Sequence, residues 1–189
     1  AGDITSSTID ASAATGKVDV TFGTVATART ITGGSGNDTF SEQAAGDLVT
    51  LTTLAGGAGT DTLELLTATG AAMSTGTAGN VTNVSGIETL LLATTQPTGA
   101  ISVDMSMITG LKDITFADVN DSSDDAHTIT KLLDGATISL GDTSADTIDG
   151  SVTMNFAANS SANDLTLKVS ALAAGNLDII NTDGYADTL

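Results

Sequence analysis

The sequence has no cysteine and no tryptophan, and among its 189 residues it has only one proline, one tyrosine and four phenylalanines. Without cysteine, disulfides cannot hold the fold together, and the chain needs no particular redox compartment. Aromatic residues make up 3% of the chain and hydrophobic residues 40%, so the core must be built in thin layers of Val, Ile, Leu, Ala and Thr methyl groups. Such layers favour a solenoid over a globular sandwich.

Basic residues are also scarce: five Lys and Arg stand against 23 Asp and Glu, which gives a net charge of −18. A field of that sign repels phosphate backbones and anionic lipid, so we expect no nucleic-acid partner. The sequence contains no hydrophobic run of transmembrane length, and we expect no membrane insertion. Mutual repulsion of the carboxylates should destabilise the fold until a cation relieves it, which predicts folding that is coupled to metal binding.

An enzymatic role is not expected. The only histidine, His127, lies at the edge of an acidic segment, where a solvent-exposed role explains it. A carboxyl group that acts as a general acid needs an apolar, usually aromatic-lined pocket to raise its pKa, and aromatic residues are nearly absent.

Two segments share the pattern G-G-x-G-x-D-x-U-x, in which U is a large apolar residue: residues 33–41 read GGSGNDTFS and residues 56–64 read GGAGTDTLE. This nonapeptide is a calcium-binding repeat of β-roll structures. Between the two copies, residues 42–50 form a degenerate third copy that places Asp47 nine residues after Asp38. The remaining residues, 51–55, indicate that the coil continues with one strand lengthened.

The pattern matches the chemistry of calcium, which takes six to eight oxygen ligands and accepts main-chain carbonyls beside carboxylates. Glycines allow a turn to direct several carbonyls at one point, and the aspartate adds charge. The triplet after the aspartate is predicted to be a strand that points U inward, so that Phe40, Val49 and Leu63 form an apolar ladder. Weak turn sites of this kind fill at extracellular calcium concentrations, which favours the cell exterior. Ordinary glycine turns between strands are the alternative interpretation.

Alternating apolar residues predict strands within residues 4–10, 17–22, 165–169 and 177–180. Residues 9–22 have a gapless echo in residues 103–116, which predicts two related halves. The only proline lies within residues 96–99 and marks the boundary, so we divide the chain into residues 1–97, which contain the nonapeptides at 33–64, and residues 98–189.

The second half carries weaker signals. Residues 118–125 concentrate four aspartates, and either a solvated acidic loop or an irregular calcium site explains them. Residues 141–148 and 182–189 keep the Asp-Thr-apolar ending of the nonapeptide but lose most of its glycines. Whether these eroded repeats bind metal is left open.

The nonapeptides resemble those of the RTX, or hemolysin-type, calcium-binding family. The phrases at residues 9–16, 84–90 and 108–116 are similar to those of the RTX-bearing surface-layer proteins of Gram-negative bacteria. The resemblance implies type I secretion, an extracellular or cell-surface location, and solenoids that assemble into lattices with calcium. It also implies calcium ligands at the carbonyls of Gly33, Ser35, Gly36, Gly56, Ala58 and Gly59 and at the carboxylates of Asp38, Asp47 and Asp61.

We therefore predict an all-β chain, an irregular calcium-binding parallel β-solenoid or β-roll with some antiparallel strands. Its predicted function is that of a structural Ca²⁺-binding segment in a secreted, self-assembling bacterial surface-layer (S-layer) protein. The alternative is an RTX adhesin module or the RTX tail of a type I-secreted enzyme. The expected partners are further copies of the chain, in a lattice or filament, and a cell-surface polysaccharide is a second candidate.

Overall fold

A computed structural model describes residues 6–23, 29–42, 53–66, 83–93, 102–116, 125–141, 150–156, 164–169 and 177–180. In these residues the chain is all-β and winds into a parallel β-solenoid. Its strands are β1 (Thr8–Asp10), β2 (Asp19–Phe22), β3 (Thr30–Thr32), β4 (Thr39–Glu42), β5 (Thr53–Ala55), β6 (Thr62–Leu66), β7 (Val84–Ser85), β8 (Thr89–Ala93), β9 (Ser102–Asp104), β10 (Asp113–Phe116), β11 (Asp125–Leu132), β12 (Ala136–Leu140), β13 (Gly150–Phe156), β14 (Leu165–Val169) and β15 (Leu177–Ile180).

The described strands form three sheets that run along the solenoid. The central sheet has seven strands in the order β14-β12-β10-β8-β6-β4-β2, so each successive coil adds one strand to it. The odd-numbered strands form two four-stranded sheets, β1-β3-β5-β7 and β15-β13-β11-β9. Every pairing between the described strands is parallel, and the antiparallel strands that the sequence also predicted are not found among them.

The core contains columns of buried apolar side chains, each built from one residue per coil. Strands alternate inward and outward residues, and the parallel register places equivalent inward residues directly over one another. In the central sheet this column is Val20, Phe40, Leu63, Leu90, Ile114 and Ile138, all buried. Ile31, Leu54 and Val84 form a second buried column in the sheet of β1, β3, β5 and β7.

The predicted ladder is confirmed where the structure describes it. Phe40 pairs with Leu63, and both side chains are 0% exposed. Val49 lies outside the described residues. The strands predicted within residues 17–22, 165–169 and 177–180 are also confirmed, as β2, β14 and β15.

The central sheet continues past the predicted boundary between the halves, because β8 pairs with β10. The echoing segments 9–22 and 103–116 each begin and end with a strand, β1 and β2 in the first and β9 and β10 in the second. However, β1 and β9 belong to different sheets. The division into two halves stays a prediction. Residues 118–124, 142–148 and 182–189 lie outside the described part.

One short 3-10 helix, Met105–Met107, follows β9. Among the described residues, no helix has the length and apolarity needed to cross a membrane.

Candidate metal-binding turns

The two nonapeptides form turns that lie directly on one another in successive coils. The first turn (residues 33–38) joins β3 to β4, and the second turn (residues 56–61) joins β5 to β6. The strands on both sides are in register, with Thr30 opposite Thr53 and Thr39 opposite Thr62. Within the stack, the amide of Ala58 donates to the carbonyl of Gly34 at 3.0 Å.

Glycine is required here because the main chain of the next coil lies against its Cα. A Cβ on Gly33 would lie 2.0 Å from the carbonyl oxygen of Gly56, and a Cβ on Gly56 would lie 1.8 Å from that of Gly86. Main-chain atoms in a stacked coil cannot yield as a flexible side chain can. The paired glycines therefore set how closely the turns stack, in addition to allowing their backbone angles.

Three acidic residues form a column along the same edge, which we call the acid column: Asp38, Asp61 and Glu88. Asp61 Oδ1 accepts a hydrogen bond from the amide of Asp38 at 2.8 Å, and Glu88 Oε2 accepts one from the amide of Asp61 at 2.9 Å. Asp38 Oδ1 continues the series by accepting from the amide of Val18 at 2.8 Å. Each carboxylate thus satisfies a main-chain donor one coil earlier, and hydrogen bonds to a charged acceptor are the stronger kind.

Asp38 uses both of its oxygens, because Oδ2 accepts from the amide of Gly34 at 2.7 Å. Asp61 does not. Its side chain is 0% exposed, and its Oδ2 is buried without a hydrogen-bond partner. Burial raises the pKa of Asp61, and the negative charges of Asp38 and Glu88 raise it further against the lowering effect of the hydrogen bond from the Asp38 amide. A buried carboxylate oxygen without a hydrogen-bond donor is stabilised by a bound cation or by protonation.

Glu88 is a member of the column that the sequence analysis missed as a site residue. The signal was present: residues 88–90 read E-T-L where the second nonapeptide reads D-T-L at residues 61–63. A glycine, Gly86, also lies two residues before Glu88, as Gly59 lies before Asp61. The segment lacks the paired glycines of the nonapeptide, so the nonapeptide pattern did not identify it.

The predicted calcium ligands that the structure describes differ in burial. Asp38 and Asp61 are adjacent and buried, and Gly33 and Gly56 are buried beside them. Ser35, Ala58 and Gly59 lie on the exposed side of the turns, and Gly36 is half-buried. Asp47 lies outside the described residues. In the described part of the chain, no three His, Cys, Asp or Glu side chains lie close enough together to hold a metal ion by themselves. A cation here would therefore depend on main-chain oxygens as well.

The fold and these turns define the chain as a parallel β-solenoid with stacked glycine–aspartate turns. Comparisons with protein-family models, with curated proteins and with solved structures found no match.

Proposed function

We propose that the chain is a structural, non-catalytic, calcium-binding segment of a secreted bacterial surface-layer protein that assembles into a lattice outside the cell. The observation that carries this proposal is the stacking of the two nonapeptide turns, with Asp38 and Asp61 neighbours in a buried column. Carboxylates and glycine-turn carbonyls in successive coils are the donor set that Ca²⁺ prefers.

The residues present fit a hard cation. Asp38 and Asp61 would supply charge, and the carbonyls of Gly33, Ser35, Gly36, Gly56, Ala58 and Gly59 are the main-chain candidates, with Asp47 as a further carboxylate. The cation would neutralise part of the column, where two negative charges otherwise face each other in a desolvated place. Because the turns hold successive coils together, neutralising them would stabilise the solenoid itself.

Assembly follows from the same charge balance. A net charge of −18 makes copies of the chain repel one another at neutral pH. Calcium bound in the turns or between copies lowers that repulsion, so folding and self-association should respond to the same ion. A magnesium ion is a poorer substitute, since it demands octahedral geometry and gives up its water reluctantly.

The test is a calcium titration of metal-free protein, followed by circular dichroism and by light scattering on one sample. We expect the β signal to rise with calcium and the scattering to rise after it, with lattices or filaments visible by negative-stain electron microscopy. Magnesium at the same concentration is the control and should give much weaker responses. A full β signal without calcium, with no calcium-dependent scattering, would refute the proposal. A folded, calcium-bound monomer that binds a cell-surface polysaccharide would support the adhesin alternative instead.

A further inference from the structure

The two nonapeptide turns share a sequence pattern but differ in conformation. In the second turn, Gly57 and Gly59 have φ angles of 109° and 125°. Gly34 and Gly36, which occupy the same two places in the first turn, are not in that region. The aspartates of the two turns differ as well: the Gly34 amide donates to Asp38 Oδ2, whereas Asp61 Oδ2 is buried without a hydrogen-bond partner.

A second oxygen, from the next coil, lies near Asp61 Oδ2. Asp61 Oδ2 lies 2.5 Å from the point that a Cβ of residue 56 would occupy, and the carbonyl oxygen of Gly86 lies 1.8 Å from the same point. A carboxylate oxygen of the buried Asp61 and the negative end of a carbonyl dipole are therefore no more than 4.3 Å apart beside Gly56. In the first turn, the carbonyl of Gly56 approaches Gly33 in the same way, but the Gly34 amide already compensates the charge of Asp38.

From this difference we infer that the two turns are not equivalent: a divalent cation binds at Asp61 Oδ2 and the carbonyl oxygen of Gly86, while Asp38 accepts from the Gly34 amide of its own turn and binds none. The inference rests on the proposed calcium-binding function and deepens it. It assigns a ligand, Gly86, that lies outside both nonapeptides. It also removes Asp38 from the predicted ligand set and gives it a structural role.

A cation fits the site better than an uncharged partner does. The acid column places Asp38 on one side of Asp61 and Glu88 on the other, so the negative potential at Asp61 is the sum of three carboxylates. Calcium coordinates oxygens at about 2.3–2.6 Å and accepts carboxylate oxygens together with main-chain carbonyls. A cation bound there would be coordinated by both Asp61 and the Gly86 carbonyl, and this coordination would offset the repulsion between the two oxygens.

The test compares calcium binding and stability in three variants that each remove one negative charge: Asp61→Asn, Asp38→Asn and Asp19→Asn. Asp19 is the control, because its side chain is 66% exposed and pairs with Lys17 on the surface. Calcium stoichiometry and affinity are measured by isothermal titration calorimetry and equilibrium dialysis. Stability is measured by urea unfolding in calcium-free buffer.

We expect Asp61→Asn to lose one equivalent of bound calcium relative to the wild type, and to be at least as stable as the wild type without calcium, because it removes a buried uncompensated charge. Asp38→Asn should keep the full calcium stoichiometry and be less stable with or without calcium, because the Asn amide cannot accept from both Val18 and Gly34. Asp19→Asn should match the wild type in both measurements. Should Asp38→Asn fail to fold, the comparison of Asp61→Asn with Asp19→Asn still decides whether Asp61 holds the cation.

The inference is overturned if Asp61→Asn binds as much calcium as the wild type with the same affinity, including the case in which it is stabilised because a proton alone occupied the site. It is also overturned if Asp38→Asn, and not Asp61→Asn, loses the equivalent. In either case a calcium-dependent wild type leaves the proposed function standing. A wild type that binds no calcium removes both.

Discussion

Asp61 reaches back one coil and accepts a hydrogen bond from the main-chain amide of Asp38 at 2.8 Å through Oδ1. The same contact recurs on either side, from Glu88 to the Asp61 amide and from Asp38 to the Val18 amide. A carboxylate in one coil thus satisfies a donor that the turn of the previous coil exposes. The contacts tie the register of successive turns to acidic side chains, so the acidic composition has a structural use in this fold.

Gly56→Ala tests the close stacking of the turns. The added Cβ would lie 1.8 Å from the Gly86 carbonyl oxygen, and only a main-chain shift can relieve that contact. We expect a loss of about 2 kcal/mol or more in the free energy of unfolding, measured by urea denaturation in millimolar calcium.

Gly16→Ala is the matched control for that substitution. No atom lies within 4 Å of the place of its Cβ. Alanine there should be neutral or stabilise the fold by up to about 1 kcal/mol, because it restricts the unfolded chain. Equal losses at the two positions would contradict the stacking explanation.

Phe40→Ala tests the core column. Phe40 is fully buried between Val20 and Leu63, and truncation would leave a cavity in the stacked core. We expect a cost of about 3–5 kcal/mol in unfolding free energy, again from urea denaturation. Thr21→Ala, at an exposed position in the adjacent strand β2, should change it by less than about 0.5 kcal/mol. A small effect of Phe40→Ala would mean that this column is not the core.

Glu88→Ala tests the part of the acid column that lies outside the nonapeptides. Removing the carboxylate leaves the amide of the buried Asp61 without its acceptor, which should cost about 1–3 kcal/mol. Glu88→Gln keeps an acceptor oxygen and should recover most of that stability. If Gln and Ala variants unfold at the same urea concentration, the hydrogen bond to Asp61 does not contribute.

The environment of Asp104 predicts that the fold loses stability at low pH. It is 4% exposed, accepts from the amide and hydroxyl of Ser106, and pairs with Lys131 at 2.8 Å. Burial alone would raise its pKa, but the hydrogen bonds from Lys131 and Ser106 outweigh burial and lower the pKa of Asp104. A lowered pKa means stability that is present at neutral pH and is lost as the pH falls below the unfolded value of about 4.

Asp104→Asn should therefore reduce stability at pH 7 and flatten the fall in stability below about pH 4, measured as the urea midpoint at each pH. Lys131→Met should cost less than about 1 kcal/mol, because the lysine side chain is 57% exposed and the Ser106 contacts remain. An acid profile of Asp104→Asn that parallels the wild type would exclude Asp104 as a source of the pH dependence.

The sequence predicted the parts of the fold that depend on local periodicity. Alternation in β2, β4 and β6 is enough to place Val20, Phe40 and Leu63 inward, and the spacing of 23 residues between Asp38 and Asp61 matches the offset of the strand pairing. The sequence could not show which sheet each strand joins. That depends on where the chain bends, and the similar segments that hold β1 and β9 contribute to different sheets.

The sequence predicted the two turns of the candidate site but not the contacts that their side chains make between coils. The nonapeptide pattern identified Asp38 and Asp61 but treated them alike, because a sequence pattern does not fix the φ angles of Gly34 and Gly57. Glu88 was not predicted as a site residue because its contact with Asp61 arises from the stacking of coils that are 27 residues apart in sequence. Contacts of this kind become visible only once the register of the coils is known.

The position of bound calcium is tested most directly by an anomalous difference map from crystals grown in calcium, with data collected at a wavelength where calcium scatters anomalously. We predict a peak within about 2.3–2.6 Å of Asp61 Oδ2 and of the Gly86 carbonyl oxygen, and none at Asp38. A peak at Asp38 alone would refute the assignment of the cation to Asp61, and peaks at both aspartates would refute the inequality of the two turns. The absence of any peak at either nonapeptide turn would contradict calcium binding by these turns.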